Sequence, residues 1–158
     1  MSRRAAPTGD ELQFILFRVG RRELSVSITQ VERILPYARP ESWPGRPAFV
    51  SGGVSYAEQR VPVLDLRRRL AAEQAPEEDA RIMILALEGA SLALAVDQVT
   101  EVARVDTRTI VSAAQPVPGL PAEATGGSFE RSGRTIPILN AARLLTEAER
   151  TALAETRT

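Results

Sequence analysis

The chain has 158 residues, of which 44% are hydrophobic and 25% are charged, and this suits one compact domain or two small fused ones. It contains no Cys, no His and no Lys, because all 20 basic residues are Arg. Their absence removes the usual thiol, imidazole and amine nucleophiles, the common His/Cys metal sites and the phosphate-loop lysine. We therefore expect a protein that is not an enzyme, with no catalytic residues, no metal site and no cofactor.

The charge and aromatic content exclude two further classes of function. Twenty basic and 20 acidic residues cancel, whereas a nucleic-acid binder concentrates positive charge against phosphates. Aromatic residues make up 4% of the chain and supply few platforms for base stacking. No apolar run approaches the roughly 20 residues of a membrane span. We expect neither nucleic-acid binding nor membrane insertion, and we interpret the run Arg67-Arg68-Arg69 as a solvated face.

The predicted elements begin with a tail and a hairpin. Residues 1–10 carry charge without an apolar core after it, so we expect a flexible N-terminal tail. Residues 14–28 contain an apolar run, a turn at Gly20 and an alternating run, which predicts a β-hairpin. The same arrangement recurs over 82–96 around Gly89, so we expect a second hairpin there.

The chain also repeats itself. Residues 60–65 return as 135–140, an offset of 135 − 60 = 75, and residues 26–31 return as 94–99, an offset of 94 − 26 = 68. Both offsets fit one duplicated unit of roughly 70 residues with slack in its loops. The duplication predicts two similar lobes.

The duplicated unit divides the chain into regions. Lobe 1 is predicted over about 11–75 and lobe 2 over about 81–145. We interpret the polar stretch 71–80 as a solvated linker, and its carboxylates at 77–79 as solvent-exposed groups, not as a metal or acid–base site. A unit this short buries little by itself, so we expect the lobes to pack side by side and leave a groove between them.

Proline and aspartate positions predict local structure at the strand ends. Pro62 and Pro137 occupy the repeated segment and mark equivalent edges or bends, because proline cannot donate to a sheet. Asp65 and Asp97 each end an apolar strand, where a carboxylate caps the turn or helix that follows.

Helix is predicted to be sparse and late in the chain. A short turn of helix is expected at 65–70, and a longer helix from about residue 140 onward into the C-terminal segment 146–158, where Thr146 and Glu149 have the spacing of a capping box. Three leucines would dock this helix on a barrel, namely Leu144, Leu145 and Leu153. The pattern as a whole predicts an all-β fold of two small antiparallel β-barrels with a short C-terminal helix.

Five segments, taken in order, resemble the CheW-like domain family of bacterial chemotaxis over about residues 12–145. They are FILFRVG at 14–20, PAFVSG at 47–52, VPVLDL at 61–66, AVDQVTEV at 95–102 and ILNAARLL at 138–145. The resemblance identifies the chain as a divergent member of that family. It implies two pseudo-symmetric SH3-like β-barrels, in agreement with the repeat.

The resemblance also implies a role. CheW-like proteins are non-catalytic adaptors that couple chemoreceptors to a CheA-type histidine kinase in chemotaxis-like signal transduction. The first barrel would dock on the kinase's own CheW-like regulatory domain, and the groove between the barrels would take the cytoplasmic tip of the receptor. Such a protein is cytoplasmic and is recruited to membrane-associated receptor arrays. A ligand-binding double barrel is the less favoured reading.

Two charges typical of the family are missing. Its Val-x-Glu-Ile segment reads VERI at 31–34, which places Arg33 where the family has Glu. Its Asn-Leu-Arg-Gly segment reads SYAE at 55–58, which places Ala57 where the family has Arg. Neutral drift and a changed partner both explain the loss, so a divergent CheW-like protein of another pathway, such as pili, gliding or development, stays open as the alternative. We hypothesise that Arg33 and Glu58 form a charge-reversed pair.

The candidate partner-binding residues come from the strand segments of the first lobe and from these departures. They are Val26, Ile28, Glu32, Arg33, Tyr56, Ala57, Glu58, Val61 and Val63. The apolar members have a competing interpretation as core, which holds for about half of the positions in an alternating strand.

Overall fold

The structure, a computed structural model, describes residues 10–70, 78–112 and 116–156. Residues 1–9 of the predicted tail and 71–77 of the predicted linker lie outside these ranges. The described residues form ten β-strands and two α-helices. In chain order they are β1 (Glu11–Val19), β2 (Arg22–Ser27), β3 (Val31–Pro36), β4 (Gly52–Tyr56), β5 (Gln59–Asp65), α1 (Leu66–Arg69), β6 (Arg81–Leu87), β7 (Ala90–Val96), β8 (Gln98–Asp106), β9 (Thr125–Arg131), β10 (Arg134–Leu139) and α2 (Glu147–Thr156).

The strands form two five-stranded sheets, which define two small barrels. Barrel A has the strand order β8-β1-β2-β10-β9, and barrel B has the order β3-β6-β7-β5-β4. Neighbouring strands are antiparallel except for one parallel pair in each barrel, β2 with β10 and β5 with β7. The predicted all-β fold of two barrels with a short C-terminal helix is confirmed.

The strand registers obey the offsets of the sequence repeat. Val63 pairs with Ala93 in barrel B and Ile138 pairs with Ser25 in barrel A, so the offsets are 138 − 63 = 75 and 93 − 25 = 68. The edge strands β3 and β8 also carry register shifts at corresponding places. The duplication is therefore structural, and each position in one barrel has a defined counterpart in the other.

The barrels do not follow the two halves of the chain, so the predicted lobes at about 11–75 and 81–145 are wrong as spatial units. Hairpin β1–β2 lies in barrel A between β8 and β10, whereas β3, β4 and β5 build barrel B. Hairpin β6–β7 makes the reverse exchange and lies between β3 and β5. Both hairpins are apolar on both faces, and a central position gives them a strand neighbour at each edge and cover on each face.

The side chains of the exchanged hairpins alternate between two hydrophobic clusters. On β1, Phe14 and Leu16 pack within barrel A, while Ile15 and Phe17 join a cluster built from both barrels. We call the second cluster the inter-barrel core. β6 repeats the alternation between barrel B and the inter-barrel core with Ile82, Ile84, Met83 and Leu85. The two barrels are therefore two ends of one continuously packed domain.

Pro62 and Pro137 lie at corresponding places in β5 and β10, as predicted, but neither strand is an edge strand. β5 lies between β7 and β4, and β10 lies between β2 and β9. Pairing with the parallel neighbour begins one residue later, at Val63 and Ile138. Each proline therefore precedes the point where pairing on that side requires a backbone donor.

Both helices begin with the predicted caps. Asp65 Oδ1 accepts a hydrogen bond from the backbone N–H of Arg67 at 3.0 Å. Thr146 and Glu149 form the capping box, with reciprocal backbone-to-side-chain bonds of 3.1 and 3.0 Å.

Arg69 Nη2 donates to Glu149 Oε1 at 2.7 Å and ties the two helices together. Burial acts to raise the pKa of Glu149, but the hydrogen bonds from Arg69 and Thr146 outweigh it, so that pKa lies below its ordinary value. The leucines predicted to dock α2 are buried, namely Leu144, Leu145 and Leu153.

Truncating the repeated leucines tests the inter-barrel core. Leu64 and Leu139 are counterparts, each 1% exposed and packed in that core. Leu64→Ala and Leu139→Ala should each lower the free energy of unfolding by about 2–5 kcal/mol, because each removes buried contacts and leaves a cavity. Urea denaturation followed by Trp43 fluorescence measures the loss. The control Val111→Ala, at a side chain 54% exposed, should change stability by less than about 0.5 kcal/mol, and equal losses in all three variants would contradict the assignment.

Candidate partner-binding surface

Three of the candidate residues belong to the hydrophobic interior. Val26, Val61 and Val63 are 1%, 2% and 0% exposed. They pack in the inter-barrel core or inside barrel B. Their predicted docking role is wrong, because a side chain without exposed surface cannot meet a partner while the fold is intact. Ile28 is half-buried against the inter-barrel core, in a single turn of 3-10 helix after β2.

The exposed candidates lie at an edge of barrel B. β3 is an edge strand, and Glu32, Arg33 and Ile34 on it are exposed. Ile34 is 38% exposed, which places a branched apolar side chain on the outer surface of the strand. Glu32 sits at the register shift and its Oε1 accepts a hydrogen bond from Ser91 Oγ at 3.0 Å. The strand therefore presents an apolar side chain beside two opposite charges.

Barrel A shows how the two edges of such a barrel meet. Its edge strands are β8 and β9, and Arg131 Nη2 on β9 donates to Glu101 Oε1 on β8 at 2.7 Å. This ion pair crosses the seam where the sheet closes on itself. Hydrogen bonding from Arg131 holds the pKa of Glu101 below its ordinary value.

The seam of barrel B lacks this closure. The repeat offsets place Arg33 at the position of Glu101, since 101 − 68 = 33, and Tyr56 at the position of Arg131, since 131 − 75 = 56. Neither Arg33 nor Glu58 forms an ion pair with any residue in the described ranges. The hypothesised Arg33–Glu58 pair is therefore wrong, and Arg33 has no acidic partner in that part of the chain. We call residues 32–34 and 56–58 together the barrel-B edge.

The turn in the barrel-B edge holds two residues in a left-handed conformation. Ala57 and Glu58 have φ of +52° and +63° and join Tyr56 to Gln59 as a two-residue hairpin loop. Such loops favour Gly or Asn, because a larger side chain crowds the backbone at positive φ. The family pattern has Gly where this chain has Glu58, so the substitution places strain in an exposed turn.

The arginine run is not a uniformly solvated face. Arg67 is 3% exposed, Arg69 is paired with Glu149, and Arg68 is exposed. Arg67 Nε and Nη2 each donate to a carboxylate oxygen of Asp65 at 3.0 Å, which makes a buried bidentate ion pair. Hydrogen bonding to Asp65 raises the pKa of Arg67 above its ordinary value, although burial acts in the opposite direction. The prediction of a solvated face fails for Arg67 because Asp65 neutralises it inside the domain.

Asp97 completes this buried cluster and connects the barrels. Its Oδ1 lies 3.9 Å from Arg67 Nε, and its Oδ2 accepts a hydrogen bond from the backbone N–H of Gly20 at 2.7 Å. Gly20 belongs to the β1–β2 turn of barrel A, whereas Asp97 follows β7 of barrel B. Asp97 therefore anchors a turn of the other barrel and does not cap the segment that follows it, which corrects the prediction. The Arg67 guanidinium also lies over the Tyr37 ring, 4.7 Å from its centre.

A groove of about 440 Å³ lies between the β6–β7 turn and the C-terminal segment. Leu87 and Ala90 line it from barrel B, while Leu145 and Leu153 line it from the segment after β10, with Arg150 at the same site. Arg143 and Glu88 also line the groove, so it combines apolar side chains with two arginines and one acid, a sum of 2 − 1 = +1. The interiors of both barrels, by contrast, are packed with apolar side chains.

The described ranges, 10–70, 78–112 and 116–156, contain acidic residues and two α-helices that bear on metal binding and on membrane insertion. There, no three His, Cys, Asp or Glu side chains converge in a way that would hold a metal ion. Over the same ranges, no helix has the length and apolarity to cross a membrane.

Two pseudo-symmetric barrels, joined by exchanged hairpins and a shared core, define a double-barrel domain of the kind that CheW proteins have. The family model for the CheW-like domain matches residues 13–149, so the chain belongs to the CheW-like domain family. It is 32% identical to the chemotaxis protein CheW of Bacillus subtilis over 111 residues, which is 70% of each chain. It is 23% identical to the chemotaxis protein CheW of Treponema pallidum over 149 residues, which is 91% of this chain and 88% of that one.

The fold is also that of a solved CheW. The crystal structure of the scaffolding protein TtCheW from Thermoanaerobacter tengcongensis matches with a TM-score of 0.78 and 20% sequence identity. The match covers 94% of this chain and 96% of that chain. Both barrels and their arrangement are therefore shared, although four of five aligned residues differ.

Ile34 and Val102 are surface residues that the sequence analysis did not single out. They are counterparts in the repeat, since 102 − 68 = 34, and they lie on the edge strands of the two barrels with 38% and 51% exposure. Both follow the register shift of their strand, which turns an apolar position outward. In the sequence, each of these two apolar residues directly follows two charged or polar residues, and this pattern could have indicated their exposure.

Relieving the strained turn should stabilise the protein. Glu58→Gly should raise the free energy of unfolding by about 0.5–1 kcal/mol, because glycine adopts positive φ without crowding. The chain offers a reciprocal control, because Gly133 at φ +78° is the counterpart of Glu58 (133 − 75 = 58) and has no atom within 4 Å of an added Cβ. Gly133→Glu should lose a similar amount in urea denaturation. Stabilisation by both substitutions, or by neither, would contradict the strain argument.

The buried ion pair predicts opposite outcomes for two neighbouring arginines. Arg67→Leu should lower the free energy of unfolding by about 3–5 kcal/mol, because it leaves Asp65 buried without its partner. Arg68→Leu, one residue away on the exposed side, should change it by less than about 0.5 kcal/mol. Thermal and urea denaturation of both variants measure the difference. Arg67→Lys should fall between them, because it keeps the charge but loses the bidentate geometry; similar values for Arg67→Leu and Arg68→Leu would refute the burial of Arg67.

Proposed function

We propose that this protein is a non-catalytic cytoplasmic adaptor that couples chemoreceptors to a CheA-type histidine kinase. The observation that carries the proposal is the family match over residues 13–149 together with the double-barrel fold of a solved CheW. The lack of Cys, His and Lys agrees with a protein that acts by binding. In this role the protein joins membrane-associated receptor arrays through its partners.

The barrel-B edge is the surface that supports kinase docking. It belongs to the barrel that contains most strands of the first half of the chain, and it combines the exposed Ile34 with charged neighbours on an edge strand. An edge strand offers unpaired backbone groups, and an exposed apolar residue beside it adds buried area on association. A CheW-like regulatory domain of the kinase, built from the same barrels, presents a comparable edge.

The groove beside α2 supports the receptor contact. A receptor tip is a helical hairpin in this proposal, and the partly exposed Leu87 and Ala90 at this groove would meet the apolar face of such a helix, whereas Leu145 and Leu153 are buried. Its volume of about 440 Å³ suits a few side chains of such a helix. Arg150 at this site would meet a charged residue of the receptor.

A second candidate function is the same adaptor role in another kinase pathway, such as one governing pili, gliding or development. The observation that favours it is the altered barrel-B edge. Barrel A closes its seam with Glu101 and Arg131, whereas barrel B has Arg33 and Tyr56 at the counterpart positions. A partner that neutralises Arg33 must present an acidic residue there. A partner that recognises the family pattern, with Glu at this position, would present a basic residue instead.

A charge swap at the barrel-B edge tests both candidates. The triple variant Arg33→Glu, Ala57→Arg, Glu58→Gly restores the family pattern at those positions. The ligand is the CheW-like domain of a CheA-type kinase from a relative that keeps the family charges. The triple variant should bind this domain about tenfold more tightly than the native protein does, because mismatched charges are removed. Titration calorimetry measures the affinity, and receptor-dependent autophosphorylation of the kinase measures coupling.

The single variant Glu58→Gly is the control, because it relieves the turn without restoring the charges. Equal binding by native and triple variant would favour neutral drift and the chemotaxis role. Binding by the triple variant alone would favour a changed partner. If neither protein binds a kinase domain or a receptor while both remain folded, the adaptor proposal fails.

A further inference from the structure

A second surface, on strands of barrel A, is built from arginines. It is an open cleft of about 570 Å³ between the β1–β2 turn and the start of β10, both in barrel A. Leu24, Ile136 and Pro137 contribute apolar side chains to it. We call this surface the arginine cleft.

The arginine cleft carries a concentrated positive charge. Arg18, Arg21, Arg22 and Arg134 line it, and the acid among its lining residues is Glu23, so their sum is 4 − 1 = +3. Arg134 pairs with Glu23, whose side chain is 8% exposed. The other three arginines are exposed and form no ion pair with any residue of the ranges that the structure describes. In a chain with no net charge, three unneutralised guanidinium groups meet at one cleft.

The repeat supplies an internal control for the role of these arginines. In barrel B the counterparts of Arg18, Arg21 and Arg22 are found by adding 68, and the counterpart of Arg134 by subtracting 75. Those counterparts are uncharged, namely Ala86, Gly89, Ala90 and Gln59. Barrel B forms the counterpart strands and a two-residue turn of the same length without them, although its left-handed glycine is the second turn residue, Gly89, and not the first, as at Gly20; the strands and the turn length therefore do not require the arginines. Because the strands and the turn length do not require them, we attribute their clustering at one cleft to ligand binding.

The turn that carries two of the arginines is held in place. Gly20 precedes Arg21 and adopts φ +61°, and its backbone N–H donates to Asp97 Oδ2 at 2.7 Å. Asp97 is 3% exposed and faces Arg67 inside the domain. The turn is therefore anchored to the buried cluster between the barrels, which lowers the cost of ordering it when a ligand binds.

We propose that the arginine cleft binds an acidic peptide segment of a partner protein. Guanidinium groups bind carboxylates in bidentate pairs, and several arginines around one concavity suit a short run of Asp or Glu. A membrane surface would need a protruding face with apolar side chains at its tip, whereas this site is concave with its apolar side chains at Leu24 and Ile136 buried. Nucleic acid would need a longer basic stripe and stacking aromatics, and none of the described residues that line the cleft is aromatic. This proposal does not depend on the proposed adaptor function.

A labelled peptide tests the proposal on the full chain. A short fluorescein-labelled peptide of alternating Glu and Ser should bind the native protein in an anisotropy titration, and binding should weaken as NaCl rises from about 50 to 300 mM. Arg21→Gln with Arg22→Gln should weaken binding about tenfold or more, because two charge-assisted contacts are lost. The matched control is Arg39→Gln with Arg104→Gln, which removes the same charge from exposed arginines outside the cleft and should leave binding within about twofold.

A folding control and three competing ligands decide which class of ligand the cleft binds. Thermal denaturation confirms that both double variants are folded, as expected for exposed side chains. Failure of the native protein to bind the peptide would overturn the proposal, and so would equal losses in the two double variants. Stronger cleft-dependent binding to anionic phospholipid vesicles or to single-stranded DNA than to the peptide would also overturn it. An Arg and Ser peptide of the same length should not bind.

Discussion

The exchange of hairpins between the two repeats is the constraint on which the rest of the structure depends. Hairpins β1–β2 and β6–β7 are apolar on both faces, so each needs strand neighbours at its edges and cover on both sides. Each finds them in the strands of the other repeat. One face of each hairpin fills a barrel, and the other face builds the inter-barrel core. Neither barrel can form from one contiguous repeat, and the domain therefore folds as a unit.

A buried polar cluster adds geometric specificity to the packing of the two barrels against each other. The Asp65–Arg67 pair lies at the end of β5, and Asp97 connects it to the turn at Gly20 in the other barrel. Buried ion pairs contribute little net stability, because desolvation offsets most of the attraction. Their geometry is demanding, however, and this one matches a turn of barrel A to a strand end of barrel B. We infer that it specifies how the barrels are placed relative to each other.

A scaffold held from within leaves its outer surface free to change. The chain keeps the double barrel at 20% identity to a solved CheW, yet it places Arg33 and Ala57 where the family has opposite or different groups. The barrel-B edge and the arginine cleft both lie outside the cores, so substitutions there alter charge with little effect on packing. Because the two barrels repeat the same strand registers, each surface has a counterpart that shows which residues the fold itself requires. Such comparison within one chain separates structural residues from binding residues.

The sequence by itself determined the local structure and the family. Alternation and turn residues predicted both hairpins, the spacing of Thr146 and Glu149 predicted a capping box, and the offsets 75 and 68 reappeared in the strand registers. Each of these features depends on neighbours in the chain or on direct repetition. Ordered motifs in the resembling segments sufficed to predict the double barrel.

Only the tertiary structure decided which strands share a barrel and which side chains reach solvent. The sequence shows that Val26, Val61 and Val63 are apolar, but it does not show that both faces of their strands are buried by other parts of the chain. Arg67 belongs to a run of three arginines, and its burial depends on Asp65 and Asp97, which the fold brings together across 32 residues of chain (97 − 65 = 32). Burial and strand pairing are set by residues distant in sequence, and local patterns carry no information about which distant partner is present.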